Sequence, residues 1–338
     1  MVFRYANALA GRGWAVTFVM PPGLREVSWW RGVARYGRYW GWSLTKGYLP
    51  RRWMTMDARV RFAWVPDVRP ERAPRGDIVI ATAVQTAEAV ALWPASAGRK
   101  FYLVQGYETW DFSPNRVEAS WRLPLKKIAV SRWLCDLIAA VGEGAVYAPN
   151  GLDHQSWGLD RAVEERRDPT LLWPHHRMPQ KGSQNVLAIL KGLTSAVPGL
   201  RIKAYGTSPA PSVDGVPIEY VRNPSQRRLR ELYNEAAVMI APSHAEGWGH
   251  PACEALQCGC GLAASDVGGH REFLRHGHNS LLHAPGDVAT LRDNVLRLLM
   301  DETLRWRLAR QGLADMAVLR FEPAVDRLEQ ILATGAPA

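Results

Sequence analysis

Short apolar, β-branched runs alternate with amphipathic helical stretches along almost the whole chain, and that alternation admits little besides βαβ units with parallel sheets. In the first half the strand candidates are Trp14 to Met20, Asp77 to Val84, Phe101 to Gln105, Lys127 to Val130 and Ala145 to Ala148. Between the last two, Ser131 to Val141 places Trp133, Leu134, Leu137, Ile138 and Val141 on one helical face, with Ser131 as cap. Asn150-Gly151 then reads as a turn and Asp160 to Asp168 as a charged connector.

The pattern restarts at Thr170 to Trp173, with strands at Ile202 to Tyr205, Ile218 to Val221, Ala237 to Ala241 and Gly261 to Ala264. Helices are predicted from Gly182 to Ala196, after Ser225, near Pro251 and at His270 to Arg275. Others are predicted at Asp287 to Met300, Glu302 to Val318 and Pro323 to Leu332. A length of 338 residues suits two doubly wound domains, 1–150 and 151–320. Ligands in such sheets sit at the carboxyl ends of the strands, so two of them offer a cleft for a two-substrate reaction.

Charge and aromatics add a second signal. The formal charge is +10, and there are 15 tryptophans. Gly23 to Arg75 holds twelve bases, Arg31, Arg35 and Arg38 among them, against four acids, together with Trp29, Trp30, Trp40, Trp42, Trp53 and Trp64. Cations mixed with amphipathic aromatics suit an anionic membrane surface, the favoured reading, or a nucleic acid; the plain alternative is a solvated basic loop over buried rings. Neither a membrane-spanning run nor a secretory leader is evident, and no nucleic-acid module motif is present. Cys135, Cys253, Cys258 and Cys260 are too few and too clustered for a disulfide scaffold and have the wrong spacing for zinc. A cytoplasmic protein is expected, at most peripheral to the inner membrane face.

The chemistry gathers in Ala241 to Gly259. Gly247 and Gly249 let backbone approach a ligand, and Pro251 suits a first helical turn. A helix opening there offers unpaired amides and a positive dipole end to phosphate oxygens. Glu254, one turn in, can accept both hydroxyls of a ribose, and Glu246, on the loop, those of a neighbouring sugar.

Glu246 and Glu254, separated by seven residues, resemble the E-x7-E motif of retaining glycosyltransferases of the GT-B fold, and the surroundings look like family 4 of that group. Other matching stretches are Pro149 to Asp153, Arg177 to Gly182, Tyr205 to Thr207, Leu232 to Ala236 and Gly268 to Glu272. The resemblance implies an α/β fold of two Rossmann-like domains facing across a cleft, with residues 321–338 crossing back as a helix onto the first. It implies that Arg177 and Lys181 neutralise the donor diphosphate in place of a metal, that Glu254 holds the ribose and that Glu246 orients the transferred sugar. Donor contacts would also come from Gly247, Trp248, Gly249, His250, Gly206, Thr207 and Val221.

Three departures stand out. Relatives open with a strand and a Gly-rich loop, whereas Val2, Tyr5, Ala6 and Leu9 already read as the following helix, so that first strand is expected to be missing from this sequence. Val104-Gln105-Gly106-Tyr107-Glu108 stands where many relatives carry a His, and resembles rhamnosyltransferases of the same family. Gln105 would thus join the catalytic group without acting as a base, with Tyr107 and Glu108 on the acceptor side. His175-His176 precedes Arg177 where a Gly is usual, which narrows the phosphate pocket. The expected activity is metal-free, retaining transfer of a hexose or deoxyhexose from a UDP-, GDP- or dTDP-sugar to a glycan, lipid-linked or metabolite hydroxyl. A bacterial cell-surface polysaccharide is a natural destination. The alternative is a catalytically silent glycan-binding or scaffold protein on the same fold.

Overall fold

The computed structural model describes residues 1–21, 37, 40, 41, 43, 44 and 54–334. The chain divides into two compact units: Met1–Val130 with Cys135–Pro149 and Ala324–Ala338, and Ser131–Leu134 with Asn150–Pro323.

Unit 1 opens with helix α1 (Val2–Gly11), which buries Tyr5, Ala6, Leu9 and Ala10 on one face. Strand β1 (Thr17–Met20) pairs in parallel with β2 (Arg61–Trp64), and Phe18 stacks on its register partner Phe62 at 5.5 Å. A second parallel sheet runs β3 (Ile78–Ala81), β4 (Arg99–Val104), β5 (Lys126–Ala129) and β6 (Ala145–Tyr147), in that spatial order. Helices α2 (Val84–Ala91), α3 (Pro114–Trp121) and α4 (Arg132–Ala140) follow β3, β4 and β5. The last helix of the chain, Phe321–Thr334, is tied to this unit. Its Glu329 accepts hydrogen bonds from Arg12 and Trp14 at 2.6 Å each, and Arg99 donates to its Leu332 carbonyl at 2.7 Å.

Met56 and Val60 are buried against Ala6 and Ala10 of α1, and Trp64 closes β2, so residues 54–65 of the basic, Trp-rich stretch are built into the fold, with Arg59 and Arg61 exposed. Arg61 at the exposed start of that strand masks its apolar pattern. Trp29, Trp30, Arg31, Arg35, Arg38, Trp42 and Trp53 lie outside the described residues. No helix among the described residues is long and apolar enough to cross a membrane.

Unit 2 is built on a six-stranded parallel sheet. Its strands are β7 (Thr170–Pro174), β8 (Arg201–Gly206), β9 (Glu219–Arg222), β10 (Val238–Ala241), β11 (Gly261–Ser265) and β12 (Leu281–His283), in the spatial order β12-β11-β10-β7-β8-β9. Apolar runs such as Val238–Ala241 are buried throughout, as strands covered on both faces require. Leu171, Trp173, Val238 and Ile240 pack with Leu190 and Leu193 of helix α5 (Ser183–Ala196) and Leu291 and Leu298 of Val288–Met300. Ser225 caps α6 (Gln226–Glu235) by accepting from the Arg228 amide at 3.2 Å. Gly249, at φ +100°, precedes α7 (His250–Gln257).

The helix predicted at His270–Arg275 is a single turn, His270–Glu272. The Asn279 side chain takes over the local backbone, donating to the Phe273 carbonyl at 2.7 Å and accepting from the Arg275 amide at 2.9 Å, which competes with helix continuation. β12 follows, a strand whose three residues are too short to stand out in sequence.

Candidate active site

In unit 2 the chain leaves β7 toward β8 and β9 on one side, then returns to lay β10, β11 and β12 on the other. The crevice at the carboxyl ends of β7 and β10 is therefore the topological switch point, where successive loops part and a ligand is admitted. Lys181 follows β7 and Glu246 follows β10. Lys181 Nζ donates to Glu246 Oε1 at 2.7 Å, and Ser243 Oγ donates to the same oxygen at 2.8 Å. The pair is half-buried, its side chains 37% and 17% exposed.

Neighbouring loops lock this pair. The His244 amide donates to the Gln180 carbonyl at 2.7 Å, Asn185 Nδ2 donates to His244 Nε2 at 2.9 Å, and the Gly269 amide donates to the Glu246 carbonyl at 2.9 Å. Gly182, at φ +65°, runs so close to the next loop that a Cβ there would lie 1.9 Å from the Pro242 carbonyl oxygen. The β8 end approaches as tightly: the His175 amide donates to the Tyr205 carbonyl at 2.7 Å, and a Cβ on Gly206 would meet the His175 oxygen at 2.1 Å.

Gly249 starts α7 without a side-chain cap; Pro251 carries no amide N–H and the Ala252 and Cys253 amides donate to the Gly249 carbonyl at 3.0 and 3.3 Å, so what this end presents is the positive end of the helix dipole. A Cβ at Gly249 would fall 2.3 Å from Cδ2 of His270. That ring is buried and its Nδ1–H donates to the Ser265 carbonyl at 2.8 Å; burial holds its pKa below the usual histidine range, so the ring is neutral. His270 thus acts as a backstop for the α7 start, a role its sequence context gave no sign of. Glu254 lies on α7, where Tyr233 Oη donates to its Oε2 at 3.1 Å.

Arg177 is exposed, its amide donating to Ser208 Oγ at 3.2 Å. Gly247 and Trp248 are buried, the Trp248 ring packing on Phe273 at 5.7 Å, so this residue presents backbone rather than side chain to the loop. Thr207 is exposed, and His250 and Val221 are half-buried. Cys258 and Cys260 are buried thiols pushed up to about 12 and about 11, which makes them inert.

In unit 1, Gln105, Tyr107 and Glu108 follow β4 at its carboxyl end. Gln105 Nε2 donates to the Thr82 carbonyl at 3.5 Å. Tyr107 Oη donates to Glu118 of α3 at 2.8 Å, and burial with that bond pushes the phenol up to about 12. Glu108 Oε2 accepts from the Val84 amide at the start of α2 at 3.4 Å. Burial raises Glu108 to about 7, against those hydrogen bonds.

Comparison with known proteins falls on the same ground. Residues 218–314, which include Glu246 and Glu254, match the family described as Glycosyl transferases group 1. The chain is 38% identical over 115 residues to a D-inositol 3-phosphate glycosyltransferase of Thermomonospora curvata, covering 33% of this chain and 26% of that protein. It is 29% identical over 170 residues to glycogen synthase of Mycobacterium tuberculosis, covering 48% and 41%. It thus spans only about a quarter to two-fifths of the length of these relatives. Among solved structures, sucrose-phosphate synthase from Thermosynechococcus elongatus superposes with a TM-score of 0.74 at 16% identity, over 98% of this chain and 91% of that one. Anabaena HepE in complex with UDP and glucose gives 0.67 at 14% identity, over 81% and 86%. The fold is α/β of the GT-B class, and residues 218–314 are similar to the group 1 glycosyltransferases.

Proposed function

We propose that this chain transfers a hexose or deoxyhexose from a nucleoside diphosphate sugar to a hydroxyl of a glycan, lipid-linked or metabolite acceptor, with retention and without a divalent metal. The observation that carries the reading is the Lys181–Glu246 pair at the β7/β10 switch point, beside the uncapped start of α7. Transfer to a sugar hydroxyl leaves a diphosphate that gains charge in the transition state, and fixed cations and amides stabilise that charge. Lys181 and Arg177 supply the cations and the start of α7 its positive dipole end. Glu246, held by Lys181 and Ser243, faces the sugar hydroxyls, and Glu254 takes the ribose. The solved HepE complex with UDP and glucose supports a nucleotide-sugar donor.

Acceptor recognition is assigned to unit 1, through Gln105, Tyr107 and Glu108. Gln105 orients by hydrogen bonding and removes no proton, so the acceptor proton passes to a phosphate oxygen of the leaving group. The resemblance of this segment to rhamnosyltransferases favours a deoxyhexose. An anionic membrane carrying a lipid-linked acceptor is the proposed partner of the Trp29 to Trp64 stretch.

Thermal-shift measurement against UDP, GDP, dTDP and ADP tests the reading. One diphosphate should stabilise the wild type by mass action, and Glu254→Ala should erase the response. Equal stabilisation of both proteins, or of neither, would contradict it.

A further inference from the structure

Glu254 is approached by two tyrosines from two other elements. Tyr205 lies at the carboxyl end of β8 and Tyr233 in the last turn of α6. Their hydroxyls are 2.6 Å apart, and Tyr233 Oη lies 3.1 Å from Glu254 Oε2. The rings meet edge to face at 5.9 Å, Trp157 packs edge-on against Tyr233 at 5.7 Å, and both tyrosines are buried.

The chemistry fixes the direction of this chain. A carboxylate only accepts, so the single phenolic proton of Tyr233 goes to Glu254, and the proton between the two hydroxyls comes from Tyr205. Burial raises both phenols, which keeps both protons in place. Phenylalanine would fill the same apolar space without bringing polar groups into it, so packing alone does not call for the hydroxyls. Aligned hydrogen bonds in a buried setting polarise one another and strengthen the last one, here the bond to the carboxylate.

We infer that Tyr233, with Tyr205 behind it, is a positioning residue that holds the Glu254 carboxylate in the orientation a nucleotide ribose requires. This rests on the donor site proposed above. The two hydroxyls bond to each other and to Glu254, so the relay acts on the ribose half of the donor rather than on the phosphate half. A phosphate ligand without ribose, bound by Lys181, Arg177 and the dipole end of α7, is indifferent to it.

The test is calorimetric titration of wild type, Tyr233→Phe and Tyr205→Phe with the nucleoside diphosphate that stabilises the wild type, and with inorganic pyrophosphate. Loss of one hydrogen bond to a charged group predicts about tenfold weaker nucleoside diphosphate binding by Tyr233→Phe and a smaller loss by Tyr205→Phe, with pyrophosphate affinity unchanged in both. Wild-type nucleotide affinity in Tyr233→Phe, or a pyrophosphate loss equal to the nucleotide loss, would overturn the inference. If Tyr233→Phe does not fold, Tyr205→Phe decides by the same criteria. Should the wild type bind none of the diphosphates, or Glu254→Ala bind them unchanged, the donor site itself fails and the relay with it. If Glu254→Ala abolishes binding while both tyrosine variants bind normally, only the relay fails.

Discussion

The two units treat the carboxyl ends of their strands differently. In unit 2 the loops after β7, β8, β10 and β11 are tied to one another by backbone hydrogen bonds and by glycine contacts that leave no room for a side chain. The charged pair at their centre joins residues 65 apart in sequence. In unit 1 the polar residues after β4 bond to α2 and α3 of their own neighbourhood, and Glu108 is left with burial outweighing its hydrogen bonds. One set of strand ends is preorganised across several loops, as stabilisation of a developing charge would demand. The other is a set of local caps around one strand end. The proposed donor site and the proposed acceptor side therefore differ in what mutation should do to them.

The largest effect is expected from Lys181→Ala. On the proposed reading it removes a cation from the leaving diphosphate, and it takes from Glu246 its ion-pair partner, so turnover of the nucleotide sugar, followed as nucleoside diphosphate release, should fall by about 100-fold or more. A loss under threefold would mean that the switch-point pair is not where charge develops. Next comes Gly182→Ala. Its left-handed backbone and the 1.9 Å approach of the Pro242 oxygen predict a stability loss of about 3 kcal/mol by denaturant unfolding, with Lys181 displaced. A near-neutral result would show that these loops yield, and would erase the contrast with unit 1.

The smallest effect belongs to Glu108→Gln. The wild-type carboxyl is raised in the folded state to about 7, so the folded protein binds the extra proton between the usual carboxylate range and that value. Its contribution is fully present below the unfolded pKa and is lost as pH rises through about 7. Unfolding curves at pH 5 and pH 8 should therefore show the wild type losing stability relative to Glu108→Gln on going to the higher pH. A pH-independent difference would mean that Glu108 is solvated like an ordinary surface acid.

The same contrast governs what the sequence discloses. The strands of unit 2 other than the three-residue β12 are legible because doubly covered strands read as unbroken apolar runs, as in Val238–Ala241. β2 is hidden because Arg61 begins it inside a run of charges. Glu246, Glu254 and Lys181 stand out by spacing and by resemblance, the resemblance being what assigns them to a nucleotide sugar in the proposal. The partners that hold them do not stand out. Ser243 differs in nothing from a loop serine until its bond to Glu246 is seen, and Tyr233, although it lies in the matching stretch Leu232 to Ala236, gives no sign of its bond to Glu254 until the fold brings the two together. His270 carries no metal-ligand spacing, and its function is to fill the space that Gly249 leaves open, a relation between two loops that no local pattern encodes. In unit 1, Tyr107 and Glu108 look alike in sequence as strand-end polar residues, yet one is pinned to Glu118 and the other is mostly desolvated.

Hydrogen exchange with and without the stabilising nucleoside diphosphate tests the central claim most directly, because it reports where on the chain the ligand sits. Protection should rise in the segments 175–183, 205–208 and 243–254 of unit 2, with Glu254→Ala losing it. Protection confined to the strand ends of unit 1, or none in those three segments despite measurable binding, would contradict the assignment of the donor site to the β7/β10 switch point.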